Sequence, residues 1–156
     1  MYARDVMTKD VATIANTATA FEAAERLVEA RGSALVVLDA AGAMVGIVSE
    51  ADLIRGANAA AKAVGLDVLG RIEDDARAAA AVEAIKTRRV SEIMTRGVIA
   101  AHETATLREL SDLMMTHRIK RVPIVRDHHL LGVVSRVDLL KALIAFGPSA
   151  YRQGSG

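Results

Sequence analysis

The stretch Val45-Gly46-Ile47-Val48-Ser49-Glu50-Ala51-Asp52-Leu53 returns as Leu131-Gly132-Val133-Val134-Ser135-Arg136-Val137-Asp138-Leu139, with Gly46 falling on Gly132 86 positions later. Each copy runs an apolar, β-branched segment into a serine with an aspartate three residues on. That is the spacing at which a hydroxyl caps a helix and a carboxylate returns to the backbone N–H before it, so each copy reads as a strand entering a helix. Upstream, Val6-Met7-Thr8-Lys9-Asp10-Val11 recurs as Ile93-Met94-Thr95-Arg96-Gly97-Val98, now 87 positions apart. The one lost residue fits a turn, where Asp39-Ala40-Ala41-Gly42 becomes Arg126-Asp127-His128-His129 and a solvated backbone tolerates the change.

Between these landmarks both copies read alike. A short apolar segment, 11–14 or 98–101, precedes threonines at 17 and 19 or 104 and 106, which cap an amphipathic helix. Its apolar face is Ala20, Ala23, Ala24, Leu27 and Val28 in the first copy, closed by Gly32. In the second it is Leu107, Leu110, Leu113 and Met114, continuing to about His117. Two β-branched runs follow, 34–38 with 44–48 and 121–125 with 130–134. The closing helices are expected over 51–64 and 136–146, where Pro148 bars continuation. The fold class is therefore mixed α+β, two β-α-β-β-α repeats. Expected boundaries are repeat 1 over 1–64, a helical connector over 65–90, repeat 2 over 91–147 and a flexible tail over 148–156. In the connector, Gly65 and Gly70 interrupt an alanine-rich stretch that resumes as a helix over 72–87. Glu73, Asp74 and Asp75 open that helix and Lys86, Arg88 and Arg89 close it, as its macrodipole prefers.

Composition narrows the function classes. The 156 residues are 52% hydrophobic, enough for one compact domain or two sharing a core. There is no cysteine, hence no disulfide, thiolate metal site or thiol nucleophile, and a reducing cytoplasm is expected. No apolar run reaches the roughly 20 residues that span a membrane. Lys plus Arg (20) nearly balances Asp plus Glu (19) and aromatics are 3%, which argues against nucleic acid as partner, although Arg88, Arg89, Arg96, Arg118, Lys120 and Arg121 are basic. The histidines His102, His117, His128 and His129 lack metal-ligand spacing, and no nucleophile with its base stands out, so no enzyme, catalytic residue, metal site or obligatory cofactor is expected.

Two copies of the complete set, with Met-Thr at each start and Gly-x-Val-Ser-x-x-Asp-Leu at each end, resemble the tandem cystathionine-β-synthase-type (CBS) domain pair, or Bateman module. The resemblance implies repeats packed through their sheets with pseudo-twofold symmetry, two clefts for adenosine ligands such as AMP, ADP or ATP, and homodimers of pairs. It also implies roles. Asp52 and Asp138 bind ribose hydroxyls, Ser49 and Ser135 help hold phosphate, and the base is enclosed by Thr13, Ile14 and Val36 in one copy and Ala100, Ala101, Val122 and Pro123 in the other. Physical chemistry agrees: a carboxylate accepts two hydrogen bonds from a cis-diol, and a helix N-terminus attracts phosphate.

The two sites are not equivalent. Lys120, Arg121 and Arg136 gather three cations in the second copy, whereas the aligned first-copy positions hold Ser33, Ala34 and the acidic Glu50. The stronger nucleotide site is therefore expected in the second copy, the first taking a less charged adenosine compound or none. S-adenosylmethionine, NAD and cyclic dinucleotides share the adenosine and stay open, as does a purely structural dimerisation module with empty clefts. A sensor of this kind acts by population shift and passes its signal to an effector protein that the sequence does not name.

Overall fold

A computed structural model describes residues 1–63 and 74–152. Chain order is α1 (Ala3–Val6), β1 (Thr13–Ala15), α2 (Ala20–Ala30), β2 (Ala34–Leu38), β3 (Met44–Ser49), α3 (Glu50–Ala63), α4 (Asp74–Thr87), α5 (Val90–Ile93), β4 (Ala101–His102), α6 (Leu107–Thr116), β5 (Arg121–Arg126), β6 (His129–Ser135) and α7 (Arg136–Phe146), then a 3-10 turn Gly147–Tyr151. This is the mixed α+β pattern of two repeats, each with a three-stranded sheet.

The chain folds as two compact units that do not follow the repeats in sequence: one is Ala12–Val98, the other Met1–Val11 with Ile99–Gly156. In the first, β1 runs parallel to β2 and β2 antiparallel to β3. The apolar stripe of α2 covers the sheet, so Ala20, Ala23, Leu27, Leu35, Val37, Val48, Leu53 and Val90 form one core. The second unit repeats this with β4, β5 and β6, its core including Leu107, Leu110, Met114, Val122, Ile124, Val134 and Leu139. Thr19 and Thr106 close capping boxes with Glu22 and Glu109, which fixes where α2 and α6 begin.

The glycine of each third strand admits the Met-Thr pair of the other copy. In the first unit Ile47 and Thr95 exchange backbone hydrogen bonds of 3.0 and 2.8 Å; in the second Thr8 and Val133 do so at 2.9 Å each. A β-carbon on Gly132 would lie 2.7 Å from the Thr8 carbonyl oxygen and 2.9 Å from the Met7 sulfur, and one on Gly46 2.7 Å from the Met94 sulfur and 2.9 Å from the Thr95 carbonyl oxygen. Only glycine lets backbone approach backbone so closely, and the added chain covers the outer edge of β3 and of β6.

Some expectations change in detail. Arg31, not Gly32, takes the left-handed conformation that ends α2 (φ 49°), and Arg118 does the same after α6 (φ 53°). Val28 is 78% exposed rather than part of the core. The loose tail expected from 148 is instead ordered to Tyr151, because Ala150 is buried and the Tyr151 hydroxyl donates to the Leu139 carbonyl. The helix expected over 72–87 is seen as α4; Gly65, Gly70 and Glu73 lie outside the described residues. Among the described residues no helix is long and apolar enough to cross a membrane.

Two glycine substitutions separate close approach from helix propensity. Gly132→Ala forces backbone apart and should cost about 1–3 kcal/mol. Gly56→Ala, whose new carbon inside α3 would among the described residues meet only an Ile93 methyl at 3.8 Å, should gain up to about 1 kcal/mol. Urea unfolding of the two variants should move the midpoint in opposite directions.

Candidate functional site

In the second unit the pairing of Arg121 with Ser135, and a 3.0 Å hydrogen bond from the Arg136 N–H to the Lys120 carbonyl, bring the start of β5 beside the entry to α7. Ser135 caps α7: its Oγ accepts from the Asp138 N–H at 3.3 Å, while Asp138 Oδ2 accepts from the Ser135 N–H (2.7 Å) and Oγ–H (2.6 Å). Two bonds fill Oδ2. Among the described residues no hydrogen bond reaches Asp138 Oδ1. Lys120 and Arg121 are exposed at this end, whereas Val122 and Pro123 are buried beneath it. Arg136 is drawn elsewhere, its guanidinium donating to the Ile119 (3.1 Å) and Met114 (3.4 Å) carbonyls, so it ties down the end of α6.

Ala100 and Ala101 take part in a different feature. They floor an open groove of about 560 Å³ between β4 and α6, rimmed by His102, Glu109, Asp112 and His117. Ala101 pairs with Ile124 of β5 and shares a core with it and Val122. His102 Nδ1 pairs with the Thr104 hydroxyl at 2.8 Å, and His117 is the C-cap of α6, its N–H bonded to the Leu113 carbonyl at 3.0 Å. His128 sits at φ 67° in the β5–β6 turn. Among the described residues no three His, Asp or Glu side chains are placed to hold a metal ion.

The first unit builds the same frame with different chemistry. Thr13 pairs with Val36 and Ile14 with Val37, and Ala34 pairs with Ser49, so β2 carries the candidate residues of this copy between β1 and the entry to α3. Asp52 Oδ2 accepts from the Ser49 N–H and Oγ–H, both at 2.9 Å. Its Oδ1 is taken by Arg55 Nη2 at 2.6 Å. Reading the residues alone missed Arg55; the available signal was its position three residues after Asp52 on one helix face. Its counterpart 86 positions on is Lys141, which makes no bond to Asp138 among the described residues.

The turn into α6 carries the clearest electrostatic feature. Arg126 donates through Nε and Nη2 to Glu103, both at 2.6 Å. Hydrogen bonding to Arg126, with its positive charge, holds the Glu103 carboxyl below its ordinary 4.5. Backbone and hydroxyl donation from Thr106 does the same for Glu109.

A family model described as CBS domain matches residues 3–58 and 90–145. Among curated relatives, the uncharacterized protein MJ1426 of Methanocaldococcus jannaschii is 36% identical over 120 residues, covering 69% of this chain and 71% of that one. The bovine 5'-AMP-activated protein kinase subunit gamma-3 is 32% identical over 137 residues, 87% of this chain but 24% of the relative. Among solved structures, the CBS domain of a CBS domain containing membrane protein from Sphaerobacter thermophilus superposes with a TM-score of 0.73 at 29% identity, covering 90% of this chain and 86% of that one. The CBS domain pair of protein MJ0100, solved with 5-methylthioadenosine and S-adenosyl-L-methionine, gives 0.64 at 25% identity, covering 93% of this chain and 97% of that one.

The Arg126–Glu103 pair predicts a pH dependence with a definite sign. Because the folded carboxyl binds its proton more weakly than the unfolded one, its contribution is present above the unfolded value and fades as pH falls through the folded one. Urea unfolding should therefore show wild type ahead of Arg126→Ala at pH 7, with the gap closing below about pH 5. A gap of constant size would mean that Arg126 acts by packing of its stem.

Proposed function

The chain belongs to the CBS domain family, and on that premise we propose that it is a non-catalytic regulatory module that binds an adenosine nucleotide, chiefly in its second repeat. The observation that carries the reading is Asp138. Its Oδ2 is consumed in capping α7, its Oδ1 is left to accept from a ribose cis-diol, and it stands at the positive end of an 11-residue helix. Lys120 and Arg121 at the same sheet end supply charge for a phosphate. A relative named for activation by AMP and a neighbour solved with two adenosine compounds favour the same ligand class. Arg136 contributes through the backbone ends it fastens, not as a third phosphate cation.

Binding then acts by population shift, since a ligand held by both the β5 start and α7 favours the arrangement in which these stay together. The signal passes to a homodimer partner or to a separate effector protein, in a cytoplasmic setting. Apolar residues exposed at matching positions of the two repeats favour self-association. Val28 and Met115, 87 apart, are 78% and 69% exposed; Ile54 and Leu140, 86 apart, are 60% and 56% exposed. The same faces suit a second reading, a dimerisation module whose clefts stay empty.

A thermal-shift series with adenosine, AMP, ADP, ATP and S-adenosylmethionine, with GTP as control, separates the two. Adenine compounds should stabilise the protein, by about 2.7 kcal/mol at a hundredfold excess over Kd. Asp138→Ala should abolish that shift and Asp52→Ala leave most of it. No shift with any compound at millimolar concentration would favour the dimerisation module.

A further inference from the structure

Resting on that functional reading, we infer that Arg55 is a built-in competitor that keeps the ribose-binding aspartate of the first repeat closed. In both repeats the capping serine fills Oδ2 of the aspartate, so Oδ1 is the only oxygen with both lone pairs left for a ligand. In the second repeat no described residue takes them. In the first, Arg55 Nη2 lies 2.6 Å from Asp52 Oδ1.

The two partners sit in very different surroundings. Asp52 is 9% exposed, so a ligand meets little of the carboxylate except this oxygen, whereas Arg55 is 72% exposed and can swing into water when displaced. A diol must therefore replace an ion pair, charged on both sides, with hydrogen bonds from uncharged hydroxyls, which lowers affinity without blocking access. Exposure of Arg55 makes the block reversible. Glu50, on the first turn of the same helix, adds repulsion toward phosphate. The first repeat is thus selective twice over: against diols while Arg55 is seated, and against phosphorylated ligands even when it is not.

The test reads the first repeat alone by calorimetric titration of adenosine into Asp138→Ala and into the double variant Asp138→Ala/Arg55→Ala, with thermal unfolding to confirm that each is folded. Asp138→Ala should bind at least about tenfold more weakly than the double variant. The double variant should bind one adenosine per chain, lose it when Asp52→Ala is added, and bind AMP more weakly than adenosine. Arg55→Lys in place of Arg55→Ala should keep the repeat closed. If wild type binds through Asp138 while the double variant gains nothing, the inference is overturned and the functional reading stands. Weaker adenosine binding in Arg55→Ala would make Arg55 a ligand contact, which also overturns it. Absence of binding in wild type and in every variant would overturn the functional reading and the inference with it.

Discussion

At Gly132 a single hydrogen atom stands where a methyl group would lie 2.7 Å from the Thr8 carbonyl oxygen, and Gly46 occupies the same position against Met94 and Thr95. Everything distinctive in the architecture depends on that clearance. It lets the segment leading each repeat bond to the third strand of the other repeat within one unit, so that Met1–Val11 belongs to the unit whose remaining residues begin at Ile99. The same segments brace the helix entries. In one unit the Ala3 N–H donates to the Ala105 carbonyl at 2.7 Å, and in the other the Val90 N–H donates to the Ala18 carbonyl at 2.8 Å. A strand edge that would otherwise offer unpaired backbone is covered, and the capped helices α2 and α6 are set against it.

From that frame the candidate sites follow. Fixing the third strand fixes the serine at its end, the serine fixes the first turn of α3 or α7, and the aspartate three residues on is thereby held with one oxygen buried in a capping box. Under the proposed function, helix capping and ligand binding would use the same carboxylate without conflict, because its two oxygens divide the work. The asymmetry between the repeats then comes down to what meets the other oxygen, an arginine in one and no described partner in the other.

Much of this was legible in the residues. The recurrence of Gly-x-Val-Ser-x-x-Asp-Leu located both third strands and both closing helices, because a capping box directly after a β-branched run marks the passage from strand to helix locally, and here it does so twice. The exchange of Met-Thr segments was not legible, since a dipeptide carries no address for the strand that it joins. Nor was the end of α2: Gly32 has the intrinsic preference for a left-handed turn, yet Arg31 adopts it, as Arg118 does at the equivalent place, because the helix length is set by the core and not by the nearest glycine. The bonds that Arg136 makes were not legible from charge alone. Its position inside the Ser-x-x-Asp motif suggests a phosphate ligand, while two carbonyl oxygens at the end of α6 claim its guanidinium.

The most direct test is an amide NMR titration of the isotope-labelled protein with AMP, read residue by residue. The account predicts the largest shifts at Lys120, Arg121 and Ser135 through Asp138, with smaller ones at Ser49 through Asp52. Shifts confined to the His102 and His117 groove, or none at millimolar AMP, would contradict it.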